Sequence, residues 1–454
     1  MASPSLDRAR LAELVDGERE KYRAAHPLSL RAASGAAHLL AGVPMTWMAK
    51  WAGGFPLQLA GARGATVTDV DGYSYADFCL GDTGAMAGHS PPATMEAVRR
   101  RLMEDGGVTA MLPSSDAELA GAELARRFGL PSWSFSLSAT DANRWAIRIA
   151  RQVTRRPKIL VFNWCYHGSV DETVAGLEDG RVVAREGNVG APVDPAITTR
   201  VVEFNDVEAL ERELAAGDVA AVLAEPALTN IGIVLPDPGF HSALRSLTRT
   251  AGTLLIIDET HTISAGPCGA TRAFALEPDV VTLGKAIAGG IPVGAFGLSA
   301  ELAGLLLSDT EADLVDVGGI GGTLAGNVLS TAATRATLCE VLTDEAFTSM
   351  ISLAERYEAG AVSCLARAGL PWSVTRLGAR AEFRYTAPAP RTGSESAAAD
   401  DPLLDEWFHL FLANRDVLLT PFHNMALMCP ATTTAQVDAL VEVFTAAVDA
   451  LPYS

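Results

Sequence analysis

Lysine is scarce in this chain. Four residues, Lys21, Lys50, Lys158 and Lys285, stand among many arginines. Positive charge is also short overall, since the formal net charge is −19. That balance excludes a nucleic acid or an anionic membrane surface as a partner held by bulk electrostatics. The six cysteines, Cys79, Cys165, Cys268, Cys339, Cys364 and Cys429, are scattered. With no CxxC or Cys/His spacing among them, neither a zinc site nor a disulfide framework is indicated, and they read as reduced thiols. No apolar run reaches the roughly 18 residues of a membrane span. The stretch "MASPSLDRARLAELVDGEREKYRAAHP" lacks the apolar core of a signal peptide. A cytoplasmic protein without nucleic-acid or membrane partners is expected. Internal repeats are absent too, whereas 454 residues at 49% hydrophobic content leave room for two or three units with a buried core.

Short apolar runs alternate with amphipathic stretches from about residue 133 to 299: "SWSFSLS", "KILVFNW", "VAAVLAEP", "TLLIIDE", "DVVTLG" and "GAFGLS". Runs of this length and composition fit strands buried on both faces, which predicts an α/β core with a mostly parallel central sheet covered by helices. Ligands of such sheets gather at the carboxyl ends of strands. "ATVTDVDGYSYADF" reads as a hairpin around Asp71 and Gly72, and "ARAEFRY" as a late strand. "TAPAPRTGSESAAADDP" is expected to be an exposed loop. The partition predicted is a large domain over 69–330 and a smaller α/β domain built from both termini, 1–68 and 331–454.

Lys158 opens a strand at its amino end, and Lys21 and Lys50 read as solvated cations. Lys285 follows "VVTL" at a strand's carboxyl end and precedes "AIAGG". A lysine desolvated there can form a Schiff base with a carbonyl. Asp258 ends the apolar strand "TLLIID", where an ionised carboxylate needs a partner. A protonated pyridine nitrogen is one such partner, and pyridoxal phosphate enzymes combine it with a Schiff-base lysine. Strand alternation turns the neighbouring Glu259 the other way. "FSLSATDANRWAIRIAR" runs from a strand into a helix, so Ser138, Ala139 and Thr140 offer an anion-binding helix N-terminus; an ordinary cap by Ser138 or Thr140 is the plainer alternative. Tyr166 and His167 of "NWCYHGSVDE" follow another strand, where a ring can stack on a flat cofactor or lie in the core.

Read in order, these segments, with "VTDVDGYSYADF", "GHSPP", "YHG", "AEPALTNIGIVLPDPGF", "TLGKAIAGGIPVGAFG" and "GGTLAGN", resemble class III aminotransferases of the pyridoxal phosphate fold type I superfamily. The resemblance spans roughly 30–450 and is strongest for the branch of glutamate-1-semialdehyde aminomutase and β-amino acid aminotransferases. It implies a homodimer with shared sites and pyridoxal 5'-phosphate as cofactor. Lys285 would be the Schiff-base lysine and proton shuttle, Asp258 the pyridinium partner and Tyr166 the stacking ring, with His167 beside it. Thr140 and nearby N–H groups would take the phosphate, helped by Thr323 from the second subunit. Glu225 and Asn230 match the family's glutamate and asparagine near the cofactor.

The chain departs from that branch in several places. The phosphate loop has Ala139 for glycine and Asp141 for glutamate, and "DETHT" puts His261 after the pyridinium partner, where it can tune that acid or fill a polar gap. Neither "PMTWMAKW" nor "TPFHNMAL" contains the arginine with which relatives clamp a carboxylate. Met45, Trp47, Trp164, Phe422 and Met425 suggest an apolar substrate pocket or plain core, and Arg380, Arg384 and His423 remain candidate carboxylate contacts. The expected activity is transamination from a primary amine or a β/ω-amino acid to a carbonyl acceptor such as a 2-oxo acid. An aminomutase shifting nitrogen within one molecule is the alternative. Decarboxylation, racemisation and a binding role without turnover rank below both.

Overall fold

The computed structural model describes residues 6–190, 193–314 and 319–453. The chain divides into two compact units, one of residues 1–90, 346–389 and 399–454, the other of residues 91–345 and 390–398.

The smaller unit begins with α1 (Arg8–Ala25), capped by the Asp7 carboxylate accepting from the Arg10 N–H at 3.0 Å. Its buried residues Leu11, Val15, Glu18 and Tyr22 recur every three or four positions, the spacing of one helix face. After α2 (Pro27–Gly35) come β1 (Leu59–Arg63), β2 (Thr66–Asp69) and β3 (Ser74–Asp77), an antiparallel set. The predicted hairpin lies between the last two, with Gly72 at φ 93°, a conformation glycine adopts without strain.

The larger unit opens with α3 (Pro92–Arg100) and α4 (Ser115–Phe128). It continues through β4 (Ser132–Ser136), α5 (Ala139–Thr154), β5 (Lys158–Phe162), the hairpin of β6 (Ala175–Glu178) and β7 (Arg181–Ala184), and β8 (Thr199–Val202). β9 (Val219–Ala224), β10 (Leu254–Asp258), β11 (Val280–Leu283) and β12 (Gly294–Leu298) complete it. Seven strands form one sheet in the order β4, β12, β11, β10, β9, β5, β8. Only β12 runs against its neighbours. All six predicted runs form strands here. β8 was not anticipated, because "TTRVV" is short and carries Arg200, which an edge strand tolerates by pairing it with Asp218 and Glu213. α5 presents Ala142, Asn143, Ala146, Ile147 and Ala150 as its buried face. Three alanines on that face let the helix lie close to the sheet.

The chain then returns to the smaller unit with β13 (Ser373–Leu377), β14 (Arg380–Arg384), β15 (Val417–Leu418) and β16 (Met425–Leu427). β15 adds to β3 in parallel, and β13, β14 and β16 make a second sheet. Phe383, Phe408 and Phe444 pack with centroids 5.0–5.5 Å apart at its core. Residues 390–398 leave this unit for the larger one, where the expected exposed loop contains a helix, Gly393–Ala398. The segment is held because its polar side chains find partners: Ser394 Oγ donates to Glu203, Ser396 Oγ to the Ile231 carbonyl, and Arg391 pairs with Asp237. Gly393 is required there, since a Cβ would lie 2.4 Å from the Asn163 oxygen.

Candidate active site

Three neighbouring strands of the larger unit end level with one another. Ile257 faces Ala224 and Asp258 faces Thr282, so Glu225, Asp258 and Thr282 form a row across β9, β10 and β11, with Lys285 three residues past Thr282. The carboxyl ends of parallel strands converge there, as the sequence implied.

Asp258 is buried, and three donors hold it: His167 Nδ1 at 2.9 Å, Asn143 Nδ2 at 2.8 Å and the Thr260 N–H at 3.0 Å. Burial alone raises its pKa, but the hydrogen bonds, His167 first, outweigh that and hold the carboxyl below its usual range. Burial also opposes a charge on His167, yet Cys165 and Asp258 raise its pKa well above the ordinary value. The two side chains therefore form a buried imidazolium–carboxylate pair, and Asp258 keeps its negative charge. A buried charge needs such support. Asn143 also donates to the His167 carbonyl at 3.1 Å and accepts from Thr282 Oγ1 at 2.5 Å. Burial pushes the Glu225 carboxyl up, and Thr229 Oγ1 donates to it. Glu259, turned away as strand alternation requires, accepts from Thr262 Oγ1 at 2.7 Å and from the N–H groups of Ala270 and Thr271, which fixes the following loop.

The N-terminus of α5 supplies an anion cradle. Ser138 caps it, its Oγ accepting from the Asp141 N–H at 3.2 Å, while the first N–H groups of a helix have no acceptor within it. Three glycines let the surrounding chain close on this end. A Cβ on Gly168 would lie 2.1 Å from Thr140 Oγ1, one on Gly284 2.9 Å from the Ala139 nitrogen, and one on Gly294 2.2 Å from the Ser138 oxygen. The Ser169 N–H donates to Thr140 Oγ1 at 3.3 Å, which ties the Tyr166–Ser169 turn to the helix. Asn230 Nδ2 holds the Trp164 carbonyl at 3.2 Å just before Tyr166.

Lys285 has φ 48°, a left-handed conformation that costs a residue with a side chain about 1–2 kcal/mol. Such strain concentrates at functional sites. Its Nζ lies 2.6 Å from Nε2 of His261. Sequence spacing linked His261 to Asp258; the ring instead meets the lysine, and the acid is tuned by His167 and Asn143. The other lysines stand as expected, with Lys21 2.7 Å from Glu18 and Lys158 3.6 Å from Asp218.

The substrate candidates Met45, Trp47, Arg380, Arg384, Phe422 and His423 belong to the smaller unit, and Trp164 to the larger. Trp47 and Phe422 meet edge to face with centroids 5.9 Å apart. Arg380 is buried, donating to Thr83 Oγ1 at 2.7 Å, and Arg384 pairs with Asp400. Burial lowers the His423 pKa, but Glu382 more than offsets it and leaves the pKa raised. Thr323 lines a hollow of about 990 Å³ with Trp133, Phe135 and Trp145. Asn143 and Thr282 were missed by sequence reasoning. An asparagine on the apolar face of α5 was the signal available, because a buried amide demands partners.

A strand-end lysine, an ionised buried carboxylate and a glycine-lined helix N-terminus on a mostly parallel sheet define a pyridoxal phosphate enzyme of fold type I. The chain belongs to the aminotransferase class-III family, whose model matches residues 47–445. It is similar over 395 residues, at 32% identity, to the glutamate-1-semialdehyde 2,1-aminomutase of Anaeromyxobacter dehalogenans, covering 85% of this chain and 88% of that one. A solved glutamate-1-semialdehyde aminomutase from Pseudomonas aeruginosa PAO1, in complex with PMP, is 48% identical with TM-score 0.95 over 98% of this chain and 99% of that one. A β-phenylalanine aminotransferase from Variovorax paradoxus is 27% identical with TM-score 0.86, covering 98% of this chain and 100% of that one.

Proposed function

We propose that the chain is a transaminase taking an amino group from a primary amine or a β/ω-amino acid and passing it to a carbonyl acceptor such as a 2-oxo acid. The observation that carries the chemistry is the row of Lys285 and Asp258 at adjacent strand ends, beside the α5 cradle. Bound pyridoxal phosphate supplies an electron sink for the carbon that gains or loses the amino group. Asp258, kept ionised by His167, is suited to hold a proton on the ring nitrogen. Ala139, Thr140 and Ser138 would bind the phosphate, with Tyr166 stacked on the ring and Glu225 and Asn230 at its edge. Lys285 Nζ would anchor the cofactor and, once released, carry the proton between substrate and cofactor carbons. The donor class follows from two features: the missing loop arginines, and the commitment of Arg384 to Asp400.

A second reading, an aminomutase of the glutamate-1-semialdehyde type, is favoured by the names of the aminomutase relatives. The two differ in whether the amino group leaves with a separate acceptor. Purified chain loaded with pyridoxal phosphate is expected to lose its visible absorbance band on addition of an aromatic amine or β-amino acid alone, and to regain it with a 2-oxo acid. Bleaching by no donor, together with isomerisation of an amino aldehyde without an acceptor, would overturn transamination in favour of the aminomutase.

Assembly as a homodimer belongs to the same proposal. The hollow beside Thr323 is bordered by exposed Met111 and lined by Trp133, Phe135 and the small residues of α4. Its occupant would be a second copy, bringing Thr323 to the neighbouring phosphate.

A further inference from the structure

The turn after β10 carries a side chain for which amino transfer, as set out above, has no task. His261 is 8% exposed, and its Nε2 stands 2.6 Å from Lys285 Nζ. At that separation one nitrogen donates and the other accepts, so a proton lies between amine and imidazole. The ring is held by the turn that presents Asp258: the Thr260 N–H bonds back to the Asp258 carboxylate, the Ile263 N–H to the Glu259 carbonyl at 2.9 Å, and the Ser264 N–H to the His261 carbonyl at 3.3 Å. Lys285 is held from its own side by a left-handed backbone. Two rigid turns thus fix the pair, and imidazole exchanges protons near neutral pH more readily than any other side chain.

We propose that His261 is a catalytic residue, the proton partner of Lys285 Nζ in making and breaking its bond to a carbonyl carbon. Attack by the Nζ lone pair forms the N–C bond. The proton that Nζ then sheds passes to His261 Nε2, giving imidazolium, and goes on to the departing carbonyl oxygen. That oxygen leaves as water carrying both protons the amine has lost. In the reverse direction Nε2 collects a proton from the incoming water and returns it to Nζ as the N–C bond breaks. This rests on Lys285 being the lysine that carries the cofactor.

A catalyst of this step changes the rates of capture and release alike and leaves their ratio unchanged, whereas a residue that only shapes the pocket changes the ratio. The test uses the full chain freed of cofactor, in native form and as His261→Gln, which can still hydrogen-bond Nζ but cannot take up a proton. Capture of pyridoxal phosphate is followed by absorbance and by borohydride trapping, and release by exchange into excess competing aldehyde. Both rates are expected to fall about a hundredfold or more, the size of a lost general acid/base, with affinity within about twofold of native. Unchanged rates, or a changed affinity with one rate intact, would overturn the role of His261. His261→Asn serves as the second variant if the first does not fold, as judged by thermal unfolding, and is read by the same criteria. Trapping in the native chain on a lysine other than Lys285 would instead overturn the assignment of the cofactor lysine, an outcome distinct from either result for His261.

Discussion

His241 shows how one buried ring can set an acid limit on the fold. It lies in the helix Phe240–Ala251 with Nε2 2.9 Å from the Pro226 carbonyl, and burial lowers its pKa to about 4. The folded chain therefore holds it neutral, while the unfolded chain takes up a proton near the ordinary value of about 6.5. Between those values the unfolded state binds more protons, so this stability is complete above about pH 6.5 and is lost as pH falls towards about 4. At pH 5 the loss amounts to about 2 kcal/mol. His241→Gln, which keeps a donor for Pro226, is expected to narrow the difference in unfolding free energy between pH 7.5 and pH 5 by that amount, measured by urea titration. Individual residues were also where the sequence was least readable. Lys285 and Asp258 stood out by position alone, but the imidazole beside Lys285 was not foreseeable, because a turn of unknown shape decides where the His261 ring points.

Elements were more legible, since β5, β9 and β10 at the middle of the central sheet are nearly continuous apolar runs. What escaped was supported from outside: β8 leans on ion pairs at a sheet edge, and 390–398 on acceptors far away in sequence. α4 illustrates such support. Arg127 is buried near its end, donating to the carbonyls of Pro267 at 2.7 Å, Leu338 at 2.6 Å and Leu342 at 2.8 Å, with Glu123 beside it. Arg127→Met would fill the space but leave three carbonyls without this donor, while Glu123 keeps Arg126. A loss of about 3 kcal/mol or more is expected from the unfolding free energy, since each buried unsatisfied group costs about 1–3 kcal/mol.

At the scale of the whole molecule, the proposed dimer makes a sharp test. Gly121 lines the hollow beside Thr323, and a Cβ added to it meets nothing within 4 Å. Gly121→Arg is therefore expected to leave the isolated chain folded while blocking a second copy. Sedimentation should show a dimer for the native chain and a monomer for the variant, with weaker retention of pyridoxal phosphate; a variant that sediments as the native chain does would remove this face as the interface. In the large unit the sheet joins mostly close successors in sequence. In the small unit one sheet joins residues from opposite ends of the chain, β15 lying beside β3.

That last arrangement has a consequence for synthesis on the ribosome. β3 finds its parallel neighbour only when Val417 and Leu418 emerge, and α1 its partner only with the helix Pro402–Ala413. Residues 91–345 will by then have been exposed in full. The nascent chain can complete its central sheet while residues 6–90, though β1, β2 and β3 can already pair with one another, still lack their partners from the far end, and that early segment, with an open strand edge at β3, is where a holding chaperone would be needed longest.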